Sequence, residues 1–252
     1  MVNLDCPPPP GEEAQGKSEG WNDMQHPKSI EAAFAPSFGD YAPYTRGVRV
    51  DRRAGLVDTL ENLLSGGQRE KILTATLAAA GLEPNGRLLD VGCGTGKLAI
   101  AAAQIVGSQG KVTGIDATPG MITRARANAR DSNSTARFYV EIGEKLPFTD
   151  ASMTAVTSSY FFHHLPGDVK ERALQEMWRV LMPGGRLVIT DYGTPQNLLG
   201  HICSFPMRFD YHEYVREQLG GELEELIERQ NIGAYELVDS FLGYINVIRI
   251  QK

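Results

Sequence analysis

Three cysteines in 252 residues, Cys6, Cys93 and Cys203, make neither a disulfide framework nor a metal-ligand spacing, and their scarcity points to a reducing compartment. No apolar run reaches the length that spans a bilayer. The first residues also lack the charged start and apolar stretch of a secretion signal, so a cytoplasmic chain with no membrane span is expected. Basic residues are outnumbered, giving a formal net charge of −6, and they form no compact stripe. That argues against general binding to nucleic-acid phosphates. No internal repeat is visible, which excludes a solenoid or propeller.

What the chain does have is an alternation of short apolar runs and longer helical patterns. This predicts a single doubly wound α/β domain with helices on both faces of a mostly parallel sheet. Residues 1–28 carry the run Cys6 to Pro10, several glycines and mixed charges with little apolar content, and are expected to form a disordered tail. Residues 29–82 are expected to form an N-terminal helical cap or lid. Phe34, Phe38, Tyr41 and Tyr44 there suit either a packed helix or an aromatic cover over a bound cation. Helices are predicted over about Val48 to Leu64 and Arg69 to Ala80, the second stopped by Gly81. Residues 83–252 are expected to hold the nucleotide-binding sheet.

The chain is organised around Arg87 to Ile100. Leu88, Leu89 and Val91 read as a buried strand, Lys97 to Val106 as the helix after it, and Gly92, Gly94 and Gly96 as the turn between them. Without Cβ atoms the turn lets a ligand lie directly on backbone N–H groups at the helix N-terminus. A dinucleotide fingerprint places its third glycine one residue later than here. Asp90, at the strand end, would repel a pyrophosphate and hold a cation. A second strand, Lys111 to Asp116, ends in a carboxylate about twenty residues past the turn, where nucleotide-binding folds place the acid that pairs with ribose hydroxyls. An N-cap role for Asp116 is the alternative, although Thr118 already precedes Pro119 at the start of the next helix.

The run Asp90, Gly92, Gly94, Gly96 resembles motif I of the class I S-adenosylmethionine-dependent methyltransferases. Ile142 to Phe148 resembles that family's loop after the third strand, and Trp178 to Gly185 is similar to its Arg-Val-Leu-x-Pro-Gly-Gly signature. The small-molecule branch of ubiquinone and menaquinone biosynthesis is the nearest likeness. The resemblance implies a seven-stranded Rossmann-like sheet in the order 3-2-1-4-5-7-6 with an antiparallel last strand. It also implies S-adenosyl-L-methionine as cofactor and methyl transfer to a small-molecule acceptor by in-line displacement, mainly through positioning.

On the same basis Asp90, Gly92, Gly94, Thr95 and Gly96 are expected at the methionine end of the cofactor. Asp116, Ala117 and Met121 are expected at the ribose, Glu144 and Leu146 around adenine, and Ser159 and Tyr44 at the edge of the site. Two positions depart from the family pattern: Ile142 stands where an acid commonly meets adenine, and Thr154 where an aspartate is frequent.

His163 and His164 follow the fourth strand. Adjacent side chains diverge, so at most one should face the pocket, and His163 is carried as the catalytic candidate. No metal is expected, as no other ligands lie at a matching spacing. Residues 193–233 match no family pattern. Their apolar residues, among Asn197 to Met207, are expected to be amphipathic core or else the wall of an acceptor pocket, with Tyr211, His212 and Tyr214 beyond them. The rival functions are a non-catalytic cofactor-binding or regulatory protein on the same fold, and a nicotinamide-dependent oxidoreductase. The oligomeric state, the acceptor and the methylated atom are not legible.

Overall fold

A computed structural model describes residues 45–47, 67–205 and 213–252. The expected tail, the helix over Val48 to Leu64, the aromatic residues up to Tyr44, and Tyr211 and His212 lie outside the described residues.

The sheet begins with β1 (Arg87–Val91), whose last four residues are buried. It pairs in parallel with β2 (Lys111–Asp116) on one side and β4 (Met153–Ser159) on the other. Beyond them lie β3 (Arg137–Val140) and β5 (Leu181–Tyr192), then β7 (Ile245–Gln251) antiparallel to β5, and β6 (Tyr235–Phe241) antiparallel to β7. The order is β3-β2-β1-β4-β5-β7-β6, as the family resemblance implied. β5 starts ahead of the glycine turn rather than after it. Leu181 pairs with Met153, the chain bulges through Gly184 at φ 81°, and pairing resumes at Arg186 with Ala155.

Side chains alternate across the pleat and so build two cores. Leu88, Val188 and Val247 face one layer, with α1 (Arg69–Ala80), α2 (Lys97–Val106) and α3 (Pro119–Asp131). Leu89, Leu187, Ile189 and Ile248 face the other, with α4 (Gly167–Val180). Two helices from the unpatterned region follow α5 (Leu198–Ser204): α6 (Glu213–Leu219) and α7 (Glu222–Gln230). α7 joins the second core through Leu223, Leu226 and Ile227.

On α4 the buried face includes Lys170, fully covered and paired with Glu222, whereas Trp178 is only partly buried beneath the Lys252 ammonium, 5.1 Å from its ring centre. One expectation is corrected. On and just after α5, Leu198, Leu199, Ile202 and Phe205 are all exposed rather than core. A helix of seven residues docked by its Gly200 face has no room to bury the opposite side. Gly200 sits so close to Gly243 that a Cβ there would lie 2.3 Å from the Gly243 carbonyl oxygen.

The strand order reverses between β1 and β4. The chain leaves β1 toward β2 and leaves β4 toward β5, so their carboxyl ends part and open a crevice. Among the described residues, no helix is long and apolar enough to cross a membrane.

Candidate functional site

The crevice is formed by two adjoining cavities that share Gly92, Gly94, Ser159 and Tyr160. The first is lined by Asp90, Thr95 and Lys97 from the β1 side and by Arg69, Ile72 and Thr76 from α1. The second is lined by Asp116, Ala117, Thr118 and Met121 after β2, by Glu141 to Glu144 after β3, and by Phe161, His164 and Leu165 after β4. Thr45 and Gly47 close its rim.

The glycine turn is held by its own backbone. The N–H groups of Gly92 and Cys93 both donate to the Ile115 carbonyl at 2.9 Å, which bends the chain sharply at the end of β1. Gly94 has φ 52°, and a Cβ there would enter open space within the crevice. At Gly96, φ is 83° and a Cβ would lie 2.7 Å from the Phe138 ring, so this glycine serves close packing of α2 and does not line either cavity.

Two carboxylates flank the turn. Asp90 is 2% exposed, and its Oδ1 accepts a hydrogen bond from the Thr157 hydroxyl at 2.8 Å. Burial pushes its pKa up to about 7, against the Thr157 hydrogen bond and with help from the Asp116 charge. Asp116 accepts from the Gly94 N–H at 3.0 Å with one oxygen and from the Thr118 N–H at 2.8 Å with the other. It thus clamps the glycine turn and ties the chain ahead of α3, whose N-cap residue is Thr118 and not Asp116.

Of the residues singled out in the sequence, Asp90, Gly92, Gly94, Thr95, Asp116, Ala117, Met121, Glu144 and Ser159 converge on the crevice. Leu146 does not. It is buried in the second core, and its N–H donates to Glu176 at 2.7 Å. His163 is buried behind the wall, whereas its neighbour His164 lines the cavity. Tyr44 lies outside the described residues.

Sequence reasoning missed Glu141, which ends up beside Ile142 in the lining and whose pKa burial pushes up to about 7. Its signal was available: an acid one position ahead of the expected one. It also missed Arg69 and Lys97, cations that line the first cavity together with Asp90, because no motif marks them. Thr154, the other departure, is structural. Its hydroxyl accepts from the Arg87 N–H at 2.8 Å and donates to the Arg87 carbonyl at 2.9 Å, tying β4 to the start of β1.

A family model described as a methyltransferase domain matches residues 88–185. A ubiquinone/menaquinone biosynthesis C-methyltransferase UbiE of Geobacter sp. (strain M21) is 35% identical over 161 residues, 62% of this chain and 68% of the relative. The chain belongs to the class I S-adenosylmethionine-dependent methyltransferases. A UbiE of Vibrio parahaemolyticus is also 35% identical, over 144 residues, 56% of this methyltransferase and 55% of the relative, so the match spans about half of that protein. A S-adenosylmethionine-dependent methyltransferase of Aquifex aeolicus shares the fold, with a TM-score of 0.57 at 21% identity over 79% of this chain and 97% of that one.

The crevice suits the cofactor of this family. Its ammonium and sulfonium call for negative charge, which Asp90 would supply on ionising, and its length calls for a crevice running past both the Asp90 and Asp116 ends of the turn. Among the described residues, no group of three or more His, Cys, Asp or Glu side chains is arranged to hold a metal.

Proposed function

We propose that this methyltransferase methylates a ring carbon of a small hydroquinone-like acceptor in the crevice between β1 and β4. The observation that carries the reading is a buried acid, Asp90, in one cavity and an aromatic and apolar wall of Tyr160, Phe161 and Leu165 in the cavity adjoining it. The likeness to C-methyltransferases of ubiquinone and menaquinone biosynthesis supports the acceptor class.

S-adenosylmethionine supplies an electrophilic methyl carbon on a sulfonium centre. The protein's part is to bind, orient and keep water out. Asp90, held by the Thr157 hydroxyl, would bind the ammonium, with Arg69 and Lys97 of the same cavity as partners for the α-carboxylate. Gly92, Gly94 and Thr95 let the chain pass close to the backbone. Asp116 would meet the ribose hydroxyls, with Ala117 and Met121 beside it in the lining. Glu141 and Glu144 bracket the adenine, and Ile142 packs on its face in place of an acid. Ser159 and Tyr160 border the reacting carbon, and Leu146 supports the wall from the core.

Residues 83–252 form the catalytic domain in this reading, residues 29–82 its cap, and residues 193–233 the acceptor-specificity segment. The scarcity of cysteine supports a place in the reducing cytoplasm.

Incubation with methyl-labelled cofactor and reduced 1,4-naphthoquinone tests the acceptor. Labelled methyl on carbon is the expected product. Turnover only with amine or thiol acceptors from a matched panel would replace the acceptor class while leaving the cofactor reading intact.

A further inference from the structure

Behind the cavity wall lies a buried acid that the cofactor reading leaves unused. Asp191, at the end of β5, is 2% exposed and collects four hydrogen bonds. Its Oδ2 accepts from the Phe162 N–H at 2.8 Å and the His163 N–H at 3.4 Å, and its Oδ1 from the Tyr192 N–H at 2.8 Å and the His163 Nδ1 at 2.6 Å. Burial alone would raise its pKa. The His163 charge and these hydrogen bonds outweigh burial and hold it below the usual carboxylate range. Asp191 is therefore ionised and fixes the 3-10 turn Phe162–His164 at its start.

The same bonds immobilise the His163 ring. It is sandwiched, with its centre 3.9 Å from that of His164 and 4.6 Å from that of Tyr192. Tyr192 is braced in turn by Tyr160 and Tyr244, each 5.8 Å away centre to centre. His164 alone of the pair reaches the cavity, beside Tyr160, Phe161 and Glu141. His164 as well as His163 lies close enough to help hold the Asp191 pKa down. A side chain that can take a proton thus lines the same cavity as Ser159 and Tyr160, which border the reacting carbon in that reading, backed by an immobile ring and a fixed negative charge. This is the nucleophile–base–orienter logic of enzymes that activate a weak nucleophile.

The geometry points to His164 as the general base that takes the proton of an acceptor hydroxyl, with His163 and Asp191 as the positioning pair behind it. The inference rests on the methyltransferase reading with an aromatic acceptor and adds the step that makes such an acceptor nucleophilic.

The acceptor O–H proton passes to the His164 imidazole, and the oxygen's electron pair is delocalised onto the ring carbon. That carbon forms its bond to the methyl group as the S–CH3 bond breaks and its electron pair returns to sulfur. Loss of the ring C–H proton to water then restores aromaticity, and His164 returns its proton to the oxygen. One proton leaves to solvent per turnover, and no oxidant or reductant is consumed.

Because His164 acts before methyl transfer, it can be tested without turnover. 4-Nitrophenol is titrated into the protein loaded with S-adenosylhomocysteine, at a pH below the probe's own pKa. The wild type is expected to develop the yellow phenolate band. His164→Gln should lose at least about tenfold of it while binding S-adenosylhomocysteine normally by calorimetry. His163→Gln and Asp191→Asn should weaken the band in part, with circular dichroism showing that the fold is kept.

A full band in His164→Gln, or none in the wild type, overturns the assignment. Failure of every variant and the wild type to bind S-adenosylhomocysteine would strike the cofactor reading instead. Where the variants turn over, His164→Gln should lower kcat about a hundredfold with little change in KM.

Discussion

The Gly94 N–H donates to the Asp116 carboxylate at 3.0 Å across 22 positions of sequence, so the carboxyl end of β2 holds the shape of the turn after β1. One acid thereby sets the geometry of both halves of the crevice. Asp116→Ala should remove a charge-assisted hydrogen bond and the ribose partner together. Cofactor affinity is expected to fall about tenfold or more by calorimetry. Unchanged affinity would remove Asp116 from the site.

Asp90 makes the empty protein sensitive to pH in a defined direction. Its native pKa of about 7 lies above the ordinary 3.8. Below 3.8 the group is neutral whether the chain is folded or not, and its contribution to stability is intact. Between 3.8 and about 7 the unfolded chain ionises while the native state keeps the proton, so stability falls as pH rises, and the loss is complete above 7. Glu141, whose pKa is also pushed up to about 7, acts in the same sense. Asp90→Asn should flatten the dependence of melting temperature on pH over this window.

Cofactor binding should respond oppositely. A cationic ligand favours the ionised Asp90, so affinity is expected to rise toward pH 7 and binding to release protons below it. Calorimetry in two buffers of different ionisation enthalpy reads that release. Asp90→Asn should abolish most of it and weaken binding throughout.

Gly94 and Gly96 separate ligand approach from packing. Gly96→Ala forces a Cβ to within 2.7 Å of Phe138 at a left-handed φ and should cost stability by about 1–3 kcal/mol in denaturant unfolding. Gly94→Ala meets open space, so its cost should stay near the roughly 1 kcal/mol of the left-handed backbone while cofactor affinity drops. Equal effects of both on affinity would contradict the division.

Thr154→Val removes two hydrogen bonds to Arg87 at the opposite end of β1 from the crevice. Chemical denaturation should show a loss of about 1–3 kcal/mol, with cofactor affinity unchanged. A drop in affinity would mean that the tie between β4 and β1 is transmitted to the glycine turn.

The alternation of apolar runs and amphipathic helices set several element boundaries around the site. Arg69–Ala80, Lys97–Val106 and Lys111–Asp116 were each read to the residue, because β-strand and helix periods differ and glycine or proline punctuates their ends. Asp90, Gly92, Gly94 and Asp116 were legible for the same reason: the backbone bend and the strand-end acids are local features with fixed spacing. The strand order came from the family likeness rather than from periodicity, since pattern alone does not say which strands are neighbours.

Tertiary structure decided what depends on contacts between distant segments. Which histidine of the pair faces the cavity is settled by Asp191, 28 positions from His163, because its carboxylate draws one ring inward. The role of Leu146 moved from pocket to core because Glu176, on α4, pulls its backbone down. The apolar side chains of α5 stay outside because Gly200 rests on Gly243, an approach no helical period records. Periodicity reports the face a residue shares with its sequence neighbours; which partner that face meets is set only when the strands are stacked in their final order.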